Sequence, residues 1–157
     1  MMKIFKKYSN KKFTGKVEKT SGSIKISGHE CSITKYRNLV GFVPQDDVMH
    51  RTLTVKENLF FSADTRLPSD TSSAVRSQVV NTVIKLLGLN RVRHSIIGNE
   101  EQRGVSGGER KRVNIGMELV AKPLVLFLDE VNIVFSHQII LQIFLYSKNY
   151  FNQFKIF

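Results

Sequence analysis

Leu124-Val125-Leu126-Phe127-Leu128 is an uninterrupted apolar run of strand length that stops abruptly at Asp129-Glu130. A strand apolar on both faces belongs in the middle of a parallel sheet covered by helices, because only there are both faces removed from water. Ligands in such sheets bind at the carboxyl ends of the strands, which is where the two acids stand. This single stretch predicts an α/β core and the edge of it that carries chemistry.

The remaining chain supplies elements to build around that strand. Leu39-Val40-Gly41-Phe42-Val43 is a second, mostly apolar run, closed by Pro44, and reads as a buried strand ending in a loop. Ile24-Lys25-Ile26, bracketed by Ser21-Gly22-Ser23 and Ser27-Gly28, reads as a short strand between turns. Thr54 and Glu57 have the spacing of a capping box, which predicts a helix running to about Arg66 and stopped by Pro68. Ser72 or Ser73 caps a second helix, with Val75, Val79, Val83, Leu86 and Leu87 as its apolar stripe and Gly88 as its C-terminal stop. After Ser106-Gly107-Gly108 a third helix passes through Val113, Met117 and Val120, and Pro123 ends it. The segment between Pro44 and Ser106 is thus a mainly helical insertion in an α/β frame.

A chain of 157 residues, 41% hydrophobic and 24% charged, suits one globular domain and excludes general disorder. Cys31 is the single cysteine, so no intrachain disulfide forms, and no second Cys or paired His stands near it at metal-ligand spacing. His29, His50, His94 and His137 have no catalytic partner in the sequence. The net charge of +11 invites a nucleic-acid partner. Much of it, however, lies in Lys3, Lys6, Lys7, Lys11, Lys12, Lys16 and Lys19, a run expected to be a solvated or disordered arm. A specific nucleic-acid role would rest on net charge alone. The most apolar tract, Ile139 to Tyr146, falls short of the roughly 20 residues that span a bilayer. No apolar h-region follows the basic start, so no signal peptide is expected. Work at a membrane would need an anchor from another segment or chain.

Three groups of residues carry possible chemistry. Val105-Ser106-Gly107-Gly108-Glu109-Arg110-Lys111-Arg112-Val113 opens a helix with a Ser-Gly-Gly turn, leaving free N–H groups at the positive end of the helix dipole. The glycines let a phosphate approach the backbone closely. Taken alone, the same residues also fit an ordinary glycine-rich loop with a charged, solvated helix face behind it. An acid at the end of such a strand can hold Mg²⁺ through water and a second can orient an attacking water in phosphoryl transfer, while Asp129-Glu130 equally fit a polar strand end meeting solvent. Gln45, at the end of the other apolar strand, carries an amide that could touch the same metal or water, though by itself it specifies nothing.

In order and spacing these groups resemble the ABC ATPase family. Gln45 matches its Q-loop, Ser106 to Glu109 its signature motif, and Leu124 to Glu130 its Walker B strand. Gly41-Phe42-Val43-Pro44-Gln45-Asp46-Asp47 and Leu53-Thr54-Val55-Lys56-Glu57-Asn58-Leu59 look like the G subfamily of half-transporters, as does Arg103 to Val113. The resemblance covers about Phe13 to Glu130. It implies a P-loop NTPase-like (RecA-like), mainly parallel sheet core with a helical insertion subdomain. It implies ATP and Mg²⁺ as cofactors, with Gln45 sensing nucleotide and touching the metal, Asp129 supporting Mg²⁺ and Glu130 polarising the water. Ser106, Gly107, Gly108 and Glu109 would form the nucleotide-binding signature, facing the γ-phosphate of ATP held on a second nucleotide-binding domain. A transmembrane domain is the other implied partner, and the cytoplasmic face of a membrane the implied location. The family role is ATP-driven export of lipid-like or apolar compounds.

Departures from the family pattern are equally definite. A phosphate-binding loop needs Gly, four residues, then Gly-Lys-Ser/Thr. Gly15-Lys16 is followed by Val17, and the earlier glycine position holds Asn10, so the pattern fails twice. Val131-Asn132-Ile133 stands where the family continues with Pro-Thr-Ser. The expected organisation is a basic non-family stretch over 1–12, a partial nucleotide-binding domain over 13–130 with its helical insertion at about 48–105, and a divergent apolar tail over 131–157. Such a domain is incomplete at both ends. A non-catalytic partner contributing only its signature face is the alternative role. Without the phosphate nest and its lysine, the 157-residue chain is expected to bind Mg-ATP more weakly than about 1 μM, an affinity that takes about 8 kcal/mol. Calorimetric titration checks this, and a micromolar dissociation constant would refute it.

Overall fold

The computed structural model describes residues 3–6, 25–26, 29–30, 40–99, 101–123 and 125–128. Cys31, Asp129, Glu130, the Gly15-Lys16 pair and the 131–157 tail lie outside the described residues. The chain order is β1 (Lys3–Lys6), β2 (Lys25–Ile26), β3 (His29–Glu30), β4 (Val40–Val43), α1 (Val55–Arg66), α2 (Ser73–Leu86), α3 (Gly107–Leu119) and β5 (Val125–Leu128). A short 3-10 turn, Asn90–Val92, separates α2 from the segment leading to α3.

Strands β1, β5 and β4 form one sheet in that order, and both pairings are parallel. Among the described strands the last in the chain, β5, is therefore the central one, as its sequence requires. Leu126 and Phe127 are consecutive and so face opposite sides of the sheet, yet they are 0% and 3% exposed. The α/β expectation holds, with a mainly parallel core and helices filling the chain between β4 and β5. Lys25–Ile26 pairs antiparallel with His29–Glu30.

The basic beginning is not wholly an arm. Lys3-Ile4-Phe5-Lys6 forms β1 and pairs with β5 from Lys3↔Val125 to Lys6↔Leu128. The physical reason is hydrogen-bond demand: β4 serves only one edge of β5, and the buried N–H and C=O groups of the other edge need a partner strand. A high lysine count does not prevent that pairing.

The local signals in the helical part are realised closely. Thr54 caps α1 in a full capping box, and Leu67 leaves the helix in an extended conformation (φ −78°, ψ 152°), as the residue before a proline prefers. Ser72 caps α2. At its far end Gly88 takes φ +65°, the Gly88 N–H donates to Lys85 O (3.2 Å) and the Leu89 N–H to Ile84 O (2.9 Å). Those two bonds are a Schellman stop, and the left-handed residue in it favours glycine.

The apolar stripe of α2 needs correction. Val79, Val83 and Leu87 are buried, but so are Val80 and Ile84, while Val75 is 42% exposed. The buried face is wider because α2 packs against both α1 and α3, and it begins only after the first turn.

Most of the described side chains in the interior belong to one cluster. It joins Val43, Leu126 and Leu128 of the sheet to Val55 and Leu59 of α1, Val83 and Ile84 of α2, and Val113, Ile115 and Leu119 of α3. Leu126→Asp buries an unpaired charge at the centre of that cluster, so a loss of several kcal/mol is expected, on the order of the severest single substitutions. Melting curves by circular dichroism test it, and coincident curves for parent and variant would contradict the central placement of β5.

Candidate functional site

Helix α3 is the wall on which the candidate site is built. It begins directly at the Ser-Gly-Gly turn and packs on β4 along one side and on α1 and α2 along the other. Ser106 is the N-cap: its hydroxyl accepts the Glu109 N–H (3.3 Å) and donates to Glu109 Oε2 (2.7 Å), while the Ser106 N–H donates to the same oxygen (2.8 Å). These bonds hold the Glu109 carboxyl below the usual carboxylate range, the Ser106 hydroxyl contributing most and the Ser106 N–H next.

Helix α1 starts with the same local chemistry and a different outcome. Glu57 Oε2 accepts from Thr54 N–H (2.8 Å) and from its hydroxyl (2.7 Å), an identical capping box. There, however, the first two helical amides are already taken: Val55 N–H donates to Ser95 O and Lys56 N–H to Arg93 O, both at 3.0 Å. In α3 the corresponding amides are those of Gly107 and Gly108. They lie in the first helical turn, where no intrahelical acceptor exists, and among the described residues nothing else accepts from them. A Cβ built on Gly107 would meet nothing within 4 Å, so that position is open to a group from outside. Two amides at the positive end of a 13-residue helix suit an anion such as a phosphate oxygen.

Gln45 follows β4 by two residues and is exposed. The parallel register pairs Val43 with Leu128, so β4 and β5 end level with each other. Asp129 and Glu130 come next after Leu128 in the chain and lie outside the described residues. The structure thus brings the Gln45 loop to the carboxyl edge of the sheet, beside the strand that leads to the two acids.

The link between the Gln45 loop and α3 was not evident from sequence. Lys111, in the second turn of α3, donates from Nζ to Pro44 O (2.8 Å) and Gln45 O (2.7 Å), with Asp47 Oδ1 at 3.6 Å. Asn114, one turn further on, donates from Nδ2 to Asp46 O (3.4 Å). The Arg110-Lys111-Arg112 run reads in sequence as a solvated charged face, yet the Lys111 side chain is only 17% exposed. No local pattern distinguishes Lys111 from its neighbours; only the packing of α3 on β4 does. Glu118 on the same helix accepts the Phe42 N–H of β4 (3.0 Å) and pairs with Arg66 of α1 (2.7 Å), so α3 is fastened to both sides.

Comparison with known proteins agrees with this geometry. The profile described as "ABC transporter" matches residues 10–132. ABC transporter G family member 28 of Arabidopsis thaliana is 52% identical over 110 residues, 70% of this chain and 10% of that protein. The ABC-type transporter claG of Penicillium crustosum is 45% identical over 120 residues, 76% of this chain and 16% of its own length. The broad substrate specificity ATP-binding cassette transporter ABCG2 of Rattus norvegicus is 48% identical over 110 residues, 70% of this chain and 17% of that protein. The chain spans about a tenth to a sixth of the curated relatives it matches.

The Glu109 box gives a pH dependence with a definite sign. A carboxyl whose folded value is lowered contributes stability that is present above its ordinary value of 4.5 and lost as the pH falls through the lowered one. Glu109→Gln keeps the cap geometry, since Gln also closes a capping box, but cannot titrate. Acidification from about pH 6 to about pH 3 should therefore lower the melting temperature of the parent more than that of Glu109→Gln. Equal losses would show that the box contributes nothing through its charge.

Proposed function

The chain belongs to the ABC transporter family, as part of a G-subfamily ATP-binding domain, and on that footing we propose that it takes part in ATP-driven export of lipid-like or apolar compounds. Within that reading its specific contribution is the signature face. The observation that carries the proposal is the open start of α3: among the described residues the Gly107 and Gly108 amides have no acceptor, and the Ser106 hydroxyl, donated to Glu109, stands beside them. Those donors suit the γ-phosphate of ATP held on a second nucleotide-binding domain. Their hydrogen bonds strengthen as charge develops on the transferring phosphoryl group.

On the chain's own side of such a site, Gln45 stands at the sheet edge as nucleotide sensor, Asp129 is proposed to hold Mg²⁺ and Glu130 to orient water. Bound Mg²⁺ would supply charge neutralisation between the phosphates. The partners this reading requires are a second nucleotide-binding domain and a transmembrane domain, at the cytoplasmic face of a membrane. Among the described residues no helix is long and apolar enough to cross a membrane. Because Gly15-Lys16 fails the Gly-Lys-Ser/Thr pattern, the reading favoured for the 157 residues by themselves is a lender of the signature face rather than a self-sufficient ATP hydrolase.

Gly108→Asp tests this. It places a carboxylate and a Cβ where the phosphate must come, adding repulsion and a clash, and leaves the partner's own phosphate loop untouched. Phosphate release by an intact G-subfamily ATPase domain is measured with the parent chain or the variant added. Stimulation by the parent that disappears with Gly108→Asp is expected. Equal rates with either, including no stimulation by both, would rule out the lending role.

A further inference from the structure

From the contacts of Lys111 we infer that this residue is a positioning residue, which fixes the Gln45 loop to the signature helix so that a phosphate engaged at Ser106 also orders Gln45. The inference rests on the signature face meeting an ATP-loaded partner, as proposed above. Its starting point is independent of that: one ammonium meets two consecutive main-chain carbonyls and a carboxylate of the same loop, at 2.8, 2.7 and 3.6 Å.

An ammonium has three donors and no acceptor; here two of them find carbonyl oxygens of the 44–47 loop, and the Asp47 carboxylate stands at 3.6 Å as an ion pair. Converging carbonyls of this kind define the loop backbone rather than one side chain. They act at the point where the chain leaves β4 and stops being held by the sheet. Asn114 Nδ2 adds a longer bond to Asp46 O between the two anchored ends of the loop. Pro44, Gln45, Asp46 and Asp47 are therefore all held from α3, while the Gln45 side chain stays exposed.

Lys111 is five residues beyond Ser106 on the same helix, a rise of about 7.5 Å along an element that moves as one piece. Any reorientation of α3 when its start engages a phosphate must carry the Lys111 ammonium, and through it the Gln45 backbone. A lysine that only shielded apolar surface would lay its stem along the protein and keep its head in water. Here the head is turned inward, onto carbonyls, and the side chain is 17% exposed. Holding such a rotamer-rich side chain still is unfavourable unless the contacts compensate, which charge-assisted bonds to two carbonyls can do.

Hydrogen exchange measured by mass spectrometry on the full 157-residue chain tests the inference in two arms. Parent, Lys111→Met and Lys111→Arg are compared, the methionine keeping the stem without the ammonium and the arginine restoring a cation with several donors. Without partner, exchange of the Gln45–Val48 amides should rise about tenfold in Lys111→Met and stay near the parent rate in Lys111→Arg, while α1 and the buried half of α3 are unchanged. With an intact G-subfamily ATPase domain and a slowly hydrolysed ATP analogue, the parent should gain protection at 106–109 and at 45–48 together. Lys111→Met should keep the first and lose the second.

Unchanged exchange at 45–48 in Lys111→Met would overturn the inference, as would equal protection there in parent and variant. Faster exchange throughout α1 and α3 would also overturn it, since Lys111 would then be a general stability residue. Absence of protection at 106–109 in the parent would refute the lending role and the coupling with it. The partner-free arm would still decide whether Lys111 holds the loop.

Discussion

The close approach of α3 to the other two helices sets where everything else can stand. Gly116 lies at that crossing, and a Cβ there would come within 2.8 Å of Leu59 Cδ2 on α1 and 3.0 Å of Leu87 Cδ1 at the end of α2. The helices are thus in contact through backbone on one side, and α3 sits deeper than any larger residue would allow. With α3 so placed, Ser62 Oγ reaches Met117 O at 2.6 Å, Glu118 reaches the Phe42 N–H, and Lys111 reaches the Gln45 loop. Each of those bonds bridges elements far apart in sequence, and a larger side chain at Gly116 that held α3 away would lengthen all three. The position of the signature turn relative to the sheet edge is a consequence of a missing side chain ten residues away.

What the sequence made plain was whatever depended on near neighbours along the chain. The capping box at Thr54, the helix opening at Ser106-Gly107-Gly108, the stop at Gly88 and the two-faced burial around Leu126 all follow from spacing and composition over a few residues. The core face of α1 was hidden for the opposite reason. Its buried residues are Val55, Asn58, Leu59, Ser62 and Ala63, a regular helical stripe, but two of the five are polar. Asn58 is fully buried: its Nδ2 donates to His50 O (2.9 Å) and Thr54 O (3.0 Å), and its Oδ1 accepts the His50 N–H (2.9 Å). Phe61, on the same helix, is 49% exposed. Hydrophobicity alone would turn the helix the wrong way, because the partners that satisfy Asn58 and Ser62 come from packing that the sequence does not print.

The two capping boxes show how little a motif says without its surroundings. Thr54-x-x-Glu57 and Ser106-x-x-Glu109 are chemically the same device, and both depress the carboxyl that closes them. The chain folds the Arg93 and Ser95 carbonyls over the first, while among the described residues nothing accepts from the first two amides of the second. One is thereby a structural end and the other is the proposed binding end. Neither composition nor periodicity distinguishes them; the difference is the path of the segment from Arg93 to Val105, whose Ile97 N–H and Gly98 N–H bond back to Leu53 and Arg51. That segment seals α1 first and only then delivers the chain to Ser106.

The excess of positive charge takes on a different meaning once its members are located. A net +11 suggests a diffuse attraction to polyanions. In the structure, Lys3 and Lys6 belong to a strand of the central sheet, Arg66 is paired with Glu118, and Lys111 is directed onto main-chain carbonyls. The charge on Lys111 is used at short range, on two carbonyls whose positions are fixed by the backbone. A cation of this kind recognises no partner; it fixes the distance between two parts of one site. At the start of α3, by contrast, the groups without an acceptor among the described residues are the uncharged amides of Gly107 and Gly108, where the field is that of a helix rather than of a side-chain charge.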